Sequence, residues 1–156
     1  MKKTNFNFNR FKSAQEKNYQ RALKEVKEGR KRSHWMWFIF PQLHGLGKSR
    51  KSKHYGIVNL EEAKAYLAEP VLGQRLVEIS EVLSELPGNI PGEIFGHTDS
   101  LKLKSCMTLF NLAVSNAADA EDTIGNTENA FQKVLNKFFN GESDVKTFEL
   151  LGIEWD

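Results

Sequence analysis

The chain has 156 residues, of which 40% are hydrophobic and 27% are charged, and its formal net charge is +2. These values are typical of one globular domain. The longest apolar run, residues 35–40, is much shorter than the roughly 18 residues that a membrane span needs. A single cysteine excludes an internal disulfide, and the first residues lack the apolar stretch of a secretory signal. We therefore expect a cytoplasmic protein without membrane association.

The charges are unevenly distributed along the chain. Residues 27–54 hold eight lysines and arginines and one glutamate, a net charge of +7. Residues 115–156 hold nine acidic residues and three lysines, a net charge of −6. A local surplus of this size attracts phosphate, whether on nucleic acid or on a small molecule. The alternative is a solvated surface whose charges balance.

Apolar spacing predicts a first helix over residues 11–28, with Gly29 as its C-terminal stop. One face of this helix recurs at steps of three and four residues and consists of Phe11, Gln15, Tyr19, Ala22, Leu23 and Val26. Residues 1–9 are predicted to be a flexible polar start. Residues 10–156 are predicted to form one helical domain.

Residues 33–40 are rich in aromatic side chains, which favours a strand. No other segment offers a clear partner strand, and a lone strand cannot satisfy its backbone groups inside a core. We therefore predict a short buried helix or an extended piece within an all-α domain.

Residues 45–55 are interpreted as a basic loop that binds anions. Gly45 and Gly47 let backbone N–H groups approach a ligand, and Ser49 and Ser52 supply short donors. The spacing does not match the GxxxxGK[ST] pattern of a P-loop. A mobile surface loop is the alternative.

Residues 59–67 begin with Asn-Leu-Glu-Glu, a capping-box pattern, and are predicted to form a helix. Pro70 fits the first turn of the next helix, which ends near Leu86. Residues 88–98 contain three glycines and a proline, and are predicted to be a turn-rich connection.

Asp99 is expected to cap a helix over residues 100–116. This helix is expected to bury Cys106 as an unreactive thiol rather than present it as a nucleophile. Its predicted apolar stripe consists of Leu101, Met107, Leu109, Leu112 and Ala113.

Residues 117–126 are interpreted as an acidic loop and residues 127–139 as a helix that buries Phe131, Val134, Leu135 and Phe138. Asp144 is expected to cap a last short helix that ends near Gly152. The fold class predicted from these patterns is all-α, a single multihelical domain of about six to seven helices.

His34 lies between a basic run and Trp35. A histidine transfers protons readily near neutral pH, so His34 is a candidate catalytic residue. The interpretation that we favour for it is a partly buried side chain bonded to the backbone. Trp35 and Trp37 are expected to pack in the core, with stacking on a base as the alternative.

Asp99 and Lys102 form a second cluster, one helical turn apart. In the functional interpretation they face the same ligand as residues 45–55, and Asp99 is the second candidate catalytic residue. The four histidines lack the spacing of a zinc site, and one cysteine cannot complete a thiolate site. We expect no metal and no cofactor.

Several specific strings also carry a family resemblance. Residues 34–42 read His-Trp-Met-Trp-Phe-Ile-Phe-Pro-Gln, and they are followed by Gly45-Leu46-Gly47, Ser49, Ser52 and Tyr55. A second set consists of Phe95-Gly96, Asp99, Lys102-Leu103 and Ser105. From about residue 9 to residue 152 the chain resembles an uncharacterised bacterial family, domain-of-unknown-function family 1810.

The resemblance implies a multihelical, all-α single domain and brings no established activity. Some members of the family carry a calpastatin label. An extended disordered inhibitor does not fit this compact globular composition, so we discount that label.

The function that the sequence favours is a binder of, or an enzyme acting on, a phosphorylated small molecule such as a nucleotide or an ADP-ribose-like compound. His34 or Asp99 would move protons, and Trp37 and Tyr55 would wall the pocket. The side chains expected to grip phosphate are Lys31, Ser33, Ser49, Ser52 and Lys102.

Two alternatives remain. A protein-interaction module without catalysis predicts an exposed apolar patch. Nucleic-acid binding through residues 27–54 predicts a steep salt dependence, but the sequence pI of about 8.6 and the acidic C-terminal third disfavour it.

Overall fold

The computed structural model describes residues 6–117 and 129–153, and these residues contain eight helices. Six of the eight have seven residues or more, and the described residues contain no strand beyond an isolated bridge between Leu43 and Ile57. The all-α prediction is confirmed. The helices are α1 (Asn9–Lys27), α2 (Met36–Ile39), α3 (Arg50–His54), α4 (Leu60–Ala68), α5 (Pro70–Glu85), α6 (Pro91–Ala117), α7 (Ala130–Phe139) and α8 (Val145–Leu151).

The helix α1 buries the face that its apolar spacing predicts. Phe11, Ala22 and Val26 are fully buried on this face, which packs against α2 and α5. Just before the helix, the Phe8 ring lies 6.4 Å from the Phe11 ring and 5.7 Å from the Tyr66 ring, measured between centroids. Residues 1–5 of the predicted flexible start lie outside the described residues.

An aromatic core joins the helices. The rings of Trp35, Phe40 and Phe95 lie between 6.0 and 6.3 Å from one another, and the Tyr66 and Phe110 rings lie 5.3 Å apart. Around this core, α6 packs against α4, α7 and α8, and α5 packs against α1, α4 and α7. In the part of the chain that the structure describes, no helix has both the length and the apolarity that a membrane crossing requires.

The α4 N-terminus only half follows the predicted capping box. The Asn59 side chain accepts a hydrogen bond from the Glu62 backbone N–H at 2.9 Å, as expected. The Glu62 carboxylate does not return to Asn59. It accepts a bond from the Val58 N–H at 2.7 Å and pairs with Arg10 at 3.3 Å, which ties α4 to α1.

The helix α6 corrects the prediction for residues 88–98. Pro91 begins the first part of α6, and the backbone of Gly96 (φ 79°, ψ 171°) is not helical, so α6 consists of two helical parts that meet at a kink there. Asp99 lies three residues after this kink, inside the second part of α6, and does not cap it, so the predicted cap is wrong. Proline suits a first helical turn, which is why Pro91 starts a helix where turns were expected, and glycine tolerates the positive φ that interrupts α6 at Gly96.

One residue of the predicted α6 stripe is also wrong. Leu101 is 54% exposed, whereas Leu103, Met107 and Phe110 are fully buried. Leu101 precedes Leu103 by two residues, a rotation of about 200° around an α-helix, so the two side chains lie on opposite faces. Cys106 is buried as predicted, and burial raises the pKa of its thiol, which keeps it neutral.

The last two helices begin at side-chain caps. Asn129 accepts a hydrogen bond from the Gln132 N–H at 2.9 Å and starts α7. Asp144 accepts one from the Thr147 N–H at 3.1 Å and starts α8, as predicted. The predicted start of α7 at residues 127–128 and the acidic segment 118–126 lie outside the described residues.

The segment between α2 and α4 is more ordered than the predicted loop. Ser49 caps α3, so the interpretation of residues 45–55 as a continuous loop is wrong. The two ends of the segment meet at the Leu43–Ile57 bridge, where the His44 N–H donates to the Ile57 carbonyl at 2.7 Å. Since both ends are held, α3 has a defined position relative to α2.

Because α4 and α5 approach each other closely at Gly73, adding one methyl group there should lower the stability of the protein. A Cβ atom at Gly73 would lie 2.0 Å from the Leu67 carbonyl oxygen. We expect Gly73→Ala to lower the free energy of unfolding by about 2 kcal/mol, because the two helices must move apart. In urea denaturation, Gly92→Ala is the matched control, since its Cβ would meet no atom within 4 Å. Equal denaturation midpoints for the two variants would contradict the prediction.

Candidate functional site

A cleft of about 140 Å³ lies where the segment after α1 meets α2, α3 and α6. Five residues singled out from the sequence line it, which are Lys31, His34, Trp37, Asp99 and Lys102. Met36 and Lys51 complete the lining. The cleft thus brings Asp99 and Lys102 together with Lys31, His34 and Trp37 from the segment after α1 and from α2.

Asp99 holds two of the lysines in place. Its Oδ2 lies 2.9 Å from Lys31 Nζ, and its Oδ1 lies 3.1 Å from Lys102 Nζ. These side chains are between 11% and 19% exposed, so the charges are screened less than those of a surface ion pair. Because both carboxylate oxygens accept from an ammonium group, Asp99 positions the two cations side by side.

Trp37 supports the second of these lysines. Lys102 Nζ lies 3.9 Å from the centroid of the Trp37 ring, within the range of a cation–π contact. The half-buried Trp37 ring therefore has one face covered by the ammonium group. Trp35, by contrast, is fully buried in the core, as expected.

The segment that carries Lys31 and His34 is held by Glu25, a residue that the sequence analysis missed. The Glu25 carboxylate accepts hydrogen bonds from the Arg32 N–H at 2.8 Å, the Ser33 N–H at 3.0 Å and Trp35 Nε1 at 2.8 Å. The Ser33 hydroxyl donates to its other oxygen at 2.6 Å. Burial by itself would raise the pKa of Glu25, but these hydrogen bonds lower it to about 2.

The sequence contains one sign of this role, since Glu25 is an acidic residue next to Val26 on the buried side of α1. A second tie acts on the same segment, since the Lys31 N–H donates to the Ile94 carbonyl oxygen in the first turn of α6 at 2.8 Å. The turn after α1 is thus attached to α1 and α6 at once.

His34 is exposed and lines the cleft, so the interpretation of a partly buried, backbone-bonded histidine is wrong. The reason is the turn held by Glu25. It directs the neighbouring Trp35 into the core and leaves His34 at the surface. Histidine is the side chain that most often transfers protons near neutral pH.

The serines expected to grip phosphate form hydrogen bonds within the protein and lie outside the cleft lining. Ser33 is bonded to Glu25. Ser49 Oγ accepts from the Ser52 N–H at 3.1 Å, and the Ser52 hydroxyl donates back to the Ser49 carbonyl oxygen at 2.8 Å. Gly47 lies against this pair, since a Cβ there would come within 2.8 Å of Ser52 Cβ. None of these four residues lines the cleft.

Tyr55 and Gly45 also lie away from the cleft lining. The Tyr55 ring packs between Phe11 and Phe38, at centroid distances of 5.7 and 5.5 Å. Gly45 lies next to the Leu150 side chain of α8. The one cleft cation supplied by residues 45–55 is Lys51, which the sequence analysis did not separate from the other cations of its basic run.

No group of three or more histidine, cysteine, aspartate or glutamate side chains converges as metal ligands anywhere in residues 6–117 or 129–153. In the cleft itself the donor set is mainly cationic, which suits an anion rather than a metal ion.

The fold and the cleft define a single-domain helical protein whose surface cleft is lined by lysines around a tryptophan. The family model described as "Protein of unknown function (DUF1810)" matches residues 5–151, and the chain belongs to this family. The resemblance stated from the sequence is thereby confirmed. No curated protein matches the chain.

A solved structure is similar over nearly the whole chain. It is the crystal structure of the conserved hypothetical protein Rv1873 from Mycobacterium tuberculosis, with 41% identity and a TM-score of 0.84. The match covers 97% of this chain and 100% of that one.

The lowered pKa of Glu25 predicts an acid-sensitive fold. Because the pKa falls from 4.5 to about 2 on folding, the stabilisation is complete above pH 4.5 and is lost as the pH falls toward 2. The loss is on the order of 3 kcal/mol. We expect Glu25→Gln to remove this part of the pH dependence in urea denaturation. Glu16→Gln, an exposed position on α1, is the control and should retain it. Identical profiles for the two variants would contradict the role of Glu25.

The positions of His34 and Trp35 predict that substituting one residue hardly changes the stability of the protein and substituting the other lowers it strongly. His34→Ala removes an exposed side chain, so we expect the melting temperature to change by less than about 2 °C. Trp35→Ala removes a fully buried ring and its bond to Glu25, and should cost about 3–5 kcal/mol. Thermal unfolding of both variants measures the difference. A large loss of stability in His34→Ala would place that side chain in the core.

Proposed function

We propose that the cleft binds the phosphate group of a phosphorylated small molecule. The observation that supports this most directly is the convergence of Lys31, Lys51 and Lys102 on a cleft that contains one carboxylate, that of Asp99. Three ammonium groups facing one carboxylate leave two positive charges for a ligand. Phosphate oxygens are strong acceptors for such charge-assisted hydrogen bonds.

The arrangement of these cations also favours binding. Asp99 and Trp37 hold Lys31 and Lys102 in place before a ligand arrives. Less side-chain freedom is then lost on binding, which increases affinity.

The size of the cleft limits what it encloses. Its volume of about 140 Å³ is below the roughly 300 Å³ at which pockets for drug-sized ligands begin. A nucleotide or an ADP-ribose-like ligand would therefore place a phosphate in the cleft and its base outside. Lys102 covers one face of Trp37, which leaves that face unable to stack on a base, so the proposed recognition relies on charge.

The cleft also contains one group suited to proton transfer. His34 is exposed at the cleft and has no hydrogen bond within the described residues, so it is free to contact a bound phosphate ester. If the protein is an enzyme, His34 is the residue that we propose to move the proton, and Asp99 acts by positioning Lys31 and Lys102.

The proposal is tested by titrating the purified protein with inorganic pyrophosphate, ribose 5-phosphate, AMP, ADP-ribose and a short oligonucleotide in a thermal-shift assay. A ligand at 100 times its dissociation constant adds about 2.7 kcal/mol of stability. We expect at least one phosphorylated small molecule to raise the melting temperature. Stabilisation by the oligonucleotide alone, with a steep salt dependence, would favour nucleic-acid binding instead.

Two lysines of α3 provide a matched pair for this test. Lys51 lines the cleft, whereas Lys53 is exposed two residues later and does not. We expect Lys51→Ala to weaken binding of the phosphorylated ligand by about tenfold, the loss typical of one charge-assisted hydrogen bond. Lys53→Ala has the same net charge as Lys51→Ala, but it should bind the ligand as tightly as the unmodified protein does. Equal weakening in both variants would mean that general surface charge, and not the cleft, attracts the ligand.

A further inference from the structure

A second groove, of about 340 Å³, lies between α1 and α5. Its lining is polar except for one valine and consists of Tyr19, Gln20, Val71, Gln74, Arg75 and Glu78. It shares no lining residue with the lysine cleft, so the two are separate sites.

The guanidinium group of Arg75 has one hydrogen-bond acceptor among the described residues. This half-buried group lies 5.0 Å from the centroid of the Tyr19 ring, and Nη1 donates one long hydrogen bond, of 3.4 Å, to Gln15. Within residues 6–117 and 129–153 no carboxylate forms an ion pair with it. Of the five N–H groups of an arginine, about four therefore have no acceptor in the described part of the chain. A planar carboxylate is the ligand that fits such a fork through two parallel hydrogen bonds.

Glu78 presents the complementary charge one helical turn from Arg75. Its Oε1 accepts a hydrogen bond from the Tyr19 hydroxyl at 2.5 Å, while Oε2 has no hydrogen bond among the described residues. Tyr19 is only 3% exposed, so its hydroxyl fixes Glu78 at the edge of the groove. Burial, followed by the contact with Glu78, raises the pKa of Tyr19, which keeps the hydroxyl a donor.

We propose that this groove binds a small zwitterion of the α-amino acid class. Arg75 takes the ligand carboxylate, and Glu78 takes the ammonium group through its free oxygen. Val71, which is 43% exposed, contacts an apolar side chain. A simple anion would be repelled by Glu78 and a simple cation by Arg75, whereas a zwitterion satisfies both groups.

The test is a titration of ¹⁵N-labelled protein followed by NMR, with L-valine, acetate and propylamine as probes. We expect saturable shifts at the backbone amides of Gln20, Gln74 and Arg75 with L-valine. Binding of acetate and of propylamine should be at least about tenfold weaker, because each meets only one of the two charged groups. Acetate binding as tightly as L-valine, or the absence of any saturable shift, would overturn the proposal.

Variants test the two charged groups separately. Arg75→Lys keeps the positive charge but loses the planar pair of N–H donors. It should weaken the binding of L-valine by about tenfold or more. Arg21→Lys, an exposed arginine on α1 outside the groove, is the control and should change nothing. Glu78→Gln should weaken the binding of L-valine and strengthen the binding of acetate. Loss of folding cannot produce these two opposite changes. Unchanged binding of both probes in Glu78→Gln would overturn the proposal.

Discussion

A buried carboxylate organises the part of this protein that forms the candidate cleft. Glu25 lies at 7% exposure on the core side of α1, where an unpaired charge would be strongly unfavourable. It is stabilised by four hydrogen bonds from Arg32, Ser33 and Trp35, which turn the chain back across the end of α1. The same turn buries Trp35 and leaves Lys31 and His34 at the cleft. The hydrophobic core and the candidate site thus depend on one side chain.

Two electrostatic effects oppose each other in the cleft, which are the repulsion between neighbouring lysines and their attraction to a carboxylate. Bringing Lys31 and Lys102 together costs repulsion, which Asp99 offsets by bonding to both. The Trp37 ring adds a second, uncharged partner for Lys102. One carboxylate and one ring hold the lysines without neutralising them, since Lys51 adds a further positive charge. Such an arrangement keeps a net positive charge in the cleft of the folded protein.

Prediction from the sequence was most successful where the residues that indicate a helix lie within that helix or next to it. The apolar steps of α1 and the caps of α4 and α8 are local, and the structure has them. It was wrong where a residue type has two uses. Pro91 was assigned to a turn-rich connection, although this proline starts the first part of α6. Asp99 was misassigned as a cap, because the second part of α6 already begins after the non-helical Gly96.

The sequence therefore determined the helical class, most helix positions and the residue types from which a cationic site is made, since periodicity, caps and charge runs are properties of neighbouring residues. Tertiary structure decided which of those residues meet. Ser33 and Ser52 are used inside the protein, Tyr55 packs among aromatic rings, and Lys51 joins the cleft instead. These outcomes depend on contacts between segments far apart in the chain, above all on the packing of α6 against the turn that Glu25 holds, and no local pattern encodes such contacts.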